Sequence, residues 1–97
     1  MANYVILMKL TDQGAKAIKE GPGRAEAGIK AFEKMGGKVS GFYLVMGEYD
    51  YVAIGEAPSD EVAATFALAL GSLGNVRTTT LRAYTRDEFA AMAKKLP

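Results

Sequence analysis

Two apolar runs of the same kind constrain this chain more than any other feature. Tyr4-Val5-Ile6-Leu7-Met8 and Tyr51-Val52-Ala53-Ile54 each open on a tyrosine, are rich in β-forming residues and carry no charge. Neither alternates cleanly between apolar and polar, so each reads as a strand that wants burial on both faces. The echo divides the chain into two halves that begin alike.

The first strand is expected over residues 3–10. Thr11 can cap a short helix over residues 12–20, with Asp12 near its positive end. Gly21-Pro22-Gly23 breaks that helix, and Pro22 suits the first position of a second one running to about residue 35. In it Ala25, Gly28, Ile29, Phe32 and Met35 recur at three- and four-residue steps, an apolar stripe that must lie on a sheet. Gly36-Gly37 terminates the helix. Strands over residues 38–46 and 51–56 then flank a turn at 47–50. Ser59 reads as the cap of a helix reaching about residue 73, with Asp60 and Glu61 in its first turn. That helix is apolar nearly all round, which predicts burial on more than one side. Gly74-Asn75 ends it, and a fourth strand covers residues 76–84. Thr85-Arg86-Asp87-Glu88 is a capping box, opening a terminal helix whose Phe89, Met92 and Leu96 share a face.

This order, βαββαβ with an added C-terminal helix, predicts an α+β, ferredoxin-like antiparallel sheet in one domain over residues 1–97. Two helices cover one face of such a sheet. The strands are apolar on both, and the simplest cover for the second face is the same sheet of another subunit, giving a homodimer of the dimeric α/β-barrel type. Ala63, Ala64, Ala67 and Gly71 offer a further small-residue contact.

Composition excludes several chemistries. The chain has no Cys and no His, which removes thiol nucleophiles, disulfides, imidazole bases and nearly all transition-metal sites. No metal and no cofactor are expected. The net charge of +1 provides no general field for nucleic acid or an anionic membrane. Lys and Arg are missing between Val39 and Val76, where Glu48, Asp50, Glu56, Asp60 and Glu61 fall, so the middle is acidic and the ends basic. The N-terminus has no signal-peptide pattern, and the longest uncharged run, residues 62–76, is too short and too broken by Gly to span a bilayer. A cytoplasmic location is the simplest expectation.

Gly47-Glu48-Tyr49-Asp50, together with Thr11-Asp12-Gln13-Gly14 and Gly74-Asn75-Val76-Arg77-Thr78-Thr79-Thr80-Leu81-Arg82-Ala83, resembles the GYD-domain family over almost the whole chain. The resemblance implies the ferredoxin-like fold and names no reaction. The hairpin and the last segment also look like the ligand-binding half of Lrp/AsnC-type regulators, which are dimeric α/β barrels binding amino acids between subunits. The helix-turn-helix of those regulators has no counterpart here.

The hairpin decides which side chains share a face. With Glu48 to Asp50 as a three-residue loop, Phe42, Leu44 and Met46 point with Val52 and Ile54 toward the helices. Tyr43 then points with Tyr51 to the second face; a two-residue loop reverses this. If Leu81 and Ala83 also face the helices, then Tyr4, Tyr43, Tyr51, Thr78, Thr80 and Arg82 line a cleft between subunits. Arg82 would grip a carboxylate or phosphate there, and the tyrosines would hold the organic body of a small anion. The competing reading makes the tyrosines interface packing and pairs Arg82 with an acid of its own chain or of the partner. Glu48 and Asp50 are the carboxylates of the hairpin tip, where Gly47 is expected to take a positive φ and Asp50 to cap the turn. Three functions fit these features: a small-ligand-binding or sensing homo-oligomer, a cofactor-free enzyme like the antibiotic-biosynthesis monooxygenases, or a structural assembly module. In the enzyme, tyrosine, Lys9, Glu48 and Asp50 would handle protons.

Overall fold

The computed structural model describes residues 1–97. Its elements follow in the order β1 (Ala2–Leu10), α1 (Asp12–Lys16), a 3₁₀ turn (Ile18–Glu20), α2 (Gly21–Lys34), β2 (Lys38–Leu44), β3 (Tyr51–Ala57), α3 (Asp60–Ser72), β4 (Val76–Ala83) and α4 (Arg86–Ala93). The strands form one antiparallel sheet in the order β2-β3-β1-β4, the ferredoxin-like arrangement. The helix starts are those the local chemistry requires. Thr11 and Ser59 accept hydrogen bonds from Gly14 N–H and Val62 N–H, and Thr85 with Glu88 closes the capping box.

The sheet presents Tyr4, Ile6 and Met8 to the helices. Opposite them on β3 lie Gly55, Ala53 and Tyr51, and on β4 Arg82, Thr80 and Thr78. The core joins Tyr4, Ile6, Met8, Ala53 and Ala57 to Phe32 of α2 and Ala63 and Phe66 of α3. The opposite face carries Val5, Leu7, Val52, Ile54 and Leu81, and no element of the chain covers it.

This reverses the expected faces. Tyr4, Tyr51, Thr78, Thr80 and Arg82 do share a face, but it is the helix side, while Leu81 and Ala83 point the other way. Tyr43 pairs with Val52 on the uncovered face, and Phe42 and Leu44 lie on the same side as Tyr51, where Phe42 packs against the core and Leu44 stays exposed. The hairpin accounts for the part of the switch that concerns Phe42, Tyr43 and Leu44, since a loop with an even number of residues sets Leu44 opposite Tyr51. A register shift between Val39 and Gly41 changes the phase of β2, bringing Val39 to the helix side as well. The loop holds six residues, 45–50, and is closed by a 2.8 Å hydrogen bond from Val45 N–H to Asp50 C=O. Met46 belongs to this loop and is exposed.

Two helices are less buried than their sequences predict. Only Ala63 and Phe66 of α3 are buried, and Leu68 is 75% exposed. In α2 Phe32 is the single buried residue of the stripe. No residue of α4 is buried. No helix is long and apolar enough to cross a membrane.

Candidate functional site

β1 and β4 run side by side, with Tyr4 opposite Arg82, Ile6 opposite Thr80 and Met8 opposite Thr78. α3 begins above the Tyr4 end of these strands. The Tyr4 hydroxyl donates to the Asp60 carboxylate, and Arg82 Nε lies 3.8 Å from the same carboxylate oxygen. The guanidinium sits between two rings, 4.5 Å from the centroid of Tyr84 and 5.7 Å from that of Tyr4. Burial pushes the Tyr4 phenol above the usual tyrosine range, and its hydrogen bond to Asp60 adds to this, while the Arg82 charge opposes it. Tyr4 is therefore a neutral donor and a poor base. The Asp60 side chain is largely exposed, so its pairing with Arg82 is screened and weak.

An open groove of about 820 Å³ runs between α3 and β4, an edge strand. Ala63, Ala64, Ala67 and Gly71 form the helix wall, and their small size leaves the space open. Tyr4, Thr78, Thr80 and Arg82 line the sheet side, with Asp60 and Arg77 at the rim. The Thr80 hydroxyl is buried and has no hydrogen-bond partner, an uncommon and costly condition for a polar atom. The Arg82 guanidinium, whose only carboxylate partner is exposed, can hold an anion there, and the Thr80 hydroxyl can give a ligand one further bond once it turns toward the groove. No cluster of three or more Asp and Glu side chains exists to hold a metal ion.

Four of the six expected ligand residues, Tyr4, Thr78, Thr80 and Arg82, thus line one groove of a single chain. On the helix side of the sheet they cannot line a cleft between two sheets packed face to face, which corrects the expected setting. Tyr51 lies apart from them, its ring 5.3 Å from that of Phe42, lining an apolar cavity beneath α2. Tyr43 is on the uncovered face and 56% exposed. Asp60 is the residue that sequence reasoning did not place in the site. Its position after the Ser59 cap marks it as a helix-start acid, and only the packing of α3 over β1 brings it to Tyr4.

The hairpin motif does structural work. Gly47 has φ +111°, as a turn glycine should. Glu48 is exposed and 3.7 Å from Lys9, whose ammonium lies 5.5 Å from the Tyr49 ring centroid. Asp50 does not cap its own turn. Its Oδ2 accepts from Leu10 N–H at 2.8 Å, and its N–H donates to Met8 C=O at 2.9 Å, so it fastens the hairpin to the end of β1.

Comparison with known proteins adds two findings. The GYD domain family matches residues 4–93. The chain is also similar to the "Glutamine synthetase and cystathionine beta-lyase binding protein" of Thermus thermophilus. The two are 34% identical over 95 residues, which cover 97% of this chain and 100% of that one.

Proposed function

This chain belongs to the GYD-domain family, and on that premise we propose that it is a homo-oligomeric binding protein that takes up a small organic anion in the groove between α3 and β4. The observation that carries this reading is the unpartnered Thr80 hydroxyl, buried beside Arg82 in a groove whose helix wall is built of small residues. Arg82 would exchange its exposed pairing with Asp60 for the anionic group of the ligand, Thr80 would supply a hydrogen bond, and the alanine wall would hold an apolar portion. Homodimerisation through the uncovered sheet face is part of the proposal, supported by the apolar row Val5, Leu7, Val52, Ile54 and Leu81. A cytoplasmic setting accords with a chain free of Cys.

The Thermus relative favours a second reading, in which the chain binds protein partners of the kind that relative is named for. The two are compatible if ligand occupancy governs partner binding.

A thermal-shift screen against amino acids, nucleotides and organic acids tests the first reading. A ligand at a hundred times its Kd stabilises by about 2.7 kcal/mol, which the melting temperature resolves. Arg82→Gln should lose the shift while keeping the oligomer. If no anion stabilises the wild type, the ligand reading fails. Sedimentation of the wild type with purified glutamine synthetase or cystathionine beta-lyase then decides the second.

A further inference from the structure

The sheet and α2 do not close on each other along their length. Phe32 packs on Phe66 with ring centroids 4.8 Å apart, which pins the C-terminal half of α2. Toward its N-terminal end α2 presents Ala25 and Gly28, and a Cβ added at Gly28 would meet nothing nearer than Leu70 Cδ2 at 3.9 Å. The space between is a half-open cavity of about 330 Å³, walled by Ile6, Met8, Phe42, Ala53, Phe66 and Leu70. Native cores leave few voids larger than a water molecule, because an unfilled apolar wall forfeits dispersion contacts. This wall offers water almost no hydrogen-bonding partners, so it is suited to an apolar occupant.

Three lining residues carry polar side chains, Arg24, Tyr51 and Asn75. Asn75 Oδ1 is engaged by Gln13 Nε2 at 3.0 Å. The Tyr51 hydroxyl makes no hydrogen bond within the chain and lies beside the first residue of α2, 3.1 Å from where a Cβ of Gly21 would stand. Arg24, one turn further on, holds Ala17 C=O at 3.2 Å and Glu20 at 2.8 Å in a solvent-facing pair that is readily exchanged. A free phenol and an exposed guanidinium thus flank the same end of an apolar chamber.

We propose that this cavity binds a medium-chain carboxylate, its chain between the sheet and α2 and its carboxylate held by the Tyr51 hydroxyl and Arg24. At roughly 30 Å³ per non-hydrogen group, the share a water molecule occupies, the cavity takes roughly eleven such groups. The site is separate from the groove between α3 and β4, and does not depend on a ligand there.

Calorimetric titration of the full chain with decanoate and with decylamine, both below micelle-forming concentrations, tests the assignment. Decanoate should bind once per chain and raise the melting temperature, and decylamine should bind at least tenfold more weakly. Gly28→Leu fills the cavity from a helical position and should abolish decanoate binding without lowering the melting temperature of the free protein. Tyr51→Phe and Arg24→Gln should each weaken decanoate roughly tenfold, the loss of one charge-assisted hydrogen bond. Arg82→Gln should leave it unchanged. Failure of decanoate to bind saturably overturns the site. Undiminished binding to Gly28→Leu overturns it too, placing the chain on the exposed sheet face, and equal binding of decylamine overturns the carboxylate assignment. If Gly28→Leu does not fold, Ala25→Leu fills the same space and is read by the same outcomes.

Discussion

The hydroxyl of Tyr4 on β1 donates a hydrogen bond to the carboxylate of Asp60, the first residue of α3. One buried phenol therefore ties the central strand to the helix that walls the groove. A buried tyrosine needs a partner for its hydroxyl, and this one takes it from a helix start.

Tyr4→Phe keeps the ring and removes the donor, while Asp60 stays solvated. The expected cost is about 1 kcal/mol in urea unfolding at neutral pH. Because the folded-state pKa of Tyr4 is raised, the neutral phenol stabilises the fold fully below the ordinary tyrosine value of about 10. That contribution is lost as pH rises through the raised folded value. Unfolding midpoints of the wild type and Tyr4→Phe should accordingly converge in that alkaline window, and a constant gap across it would contradict the assignment.

Asp50 Oδ2 is the acceptor for Leu10 N–H, so Asp50→Ala leaves a half-buried amide unpaired. We expect a loss of about 1–3 kcal/mol by chemical denaturation. Asp50→Asn retains an acceptor oxygen and should lose clearly less. Equal losses would show that the carboxylate charge, not the hydrogen bond, holds the hairpin to β1.

Gly14 is buried where α1 passes the turn before β4, and a Cβ there would stand 2.1 Å from Asn75 O. Neither backbone can yield without breaking the 3.0 Å bond from Thr11 N–H to Asn75 C=O. Gly14→Ala should cost about 2 kcal/mol or more. Gly23→Ala, which meets nothing within 4 Å, is the control and should be near neutral or stabilising.

The uncovered sheet face carries Leu81, 47% exposed, on the edge strand β4 beside Val5 of β1. In the dimer proposed above, Leu81→Arg puts a charge into the apolar contact and should raise the dimer dissociation constant at least a hundredfold in analytical ultracentrifugation. A wild type that sediments as a monomer at high concentration removes the dimer from the proposal.

Glu88 is held below the usual carboxylate range, first by its hydrogen bond to the Thr85 backbone. A lowered folded pKa means that its contribution to α4 is present above the ordinary Glu value and lost as pH falls through the lowered one. Helical ellipticity should fall between those two values in the wild type. Glu88→Gln, which can still accept the Thr85 N–H, should show no such step.

Much of the fold was legible because local chemistry and global order agree. Pro22, Ser59 and the Thr85–Glu88 box mark helix starts that any tertiary setting would keep, and Gly36 and Gly74 adopt the positive φ expected after helix ends. That Thr78, Thr80 and Arg82 share a side was legible too, since a period of two fixes it within one strand, whereas their meeting with Tyr4 depends on the register of β1 and β4. The side itself was not legible. Val5 and Leu7 are as apolar as Ile6 and Met8, so hydrophobic pattern could not say which set meets the helices.

The one-dimensional pattern determined the strand and helix order, the helix caps, the absence of thiol and imidazole chemistry, and the shared side of Thr78, Thr80 and Arg82 along β4. Tertiary structure decided the rest through contacts distant in sequence. Asp60 lies 56 residues from Tyr4, and Asp50 40 from Leu10. The side taken by Phe42 and Tyr43 turns on the length of the hairpin loop, and that taken by Val39 on the register shift before Gly41. A strand carries only parity, and parity acquires a direction when a helix packs on one side and satisfies a polar group there, as α3 does for Tyr4.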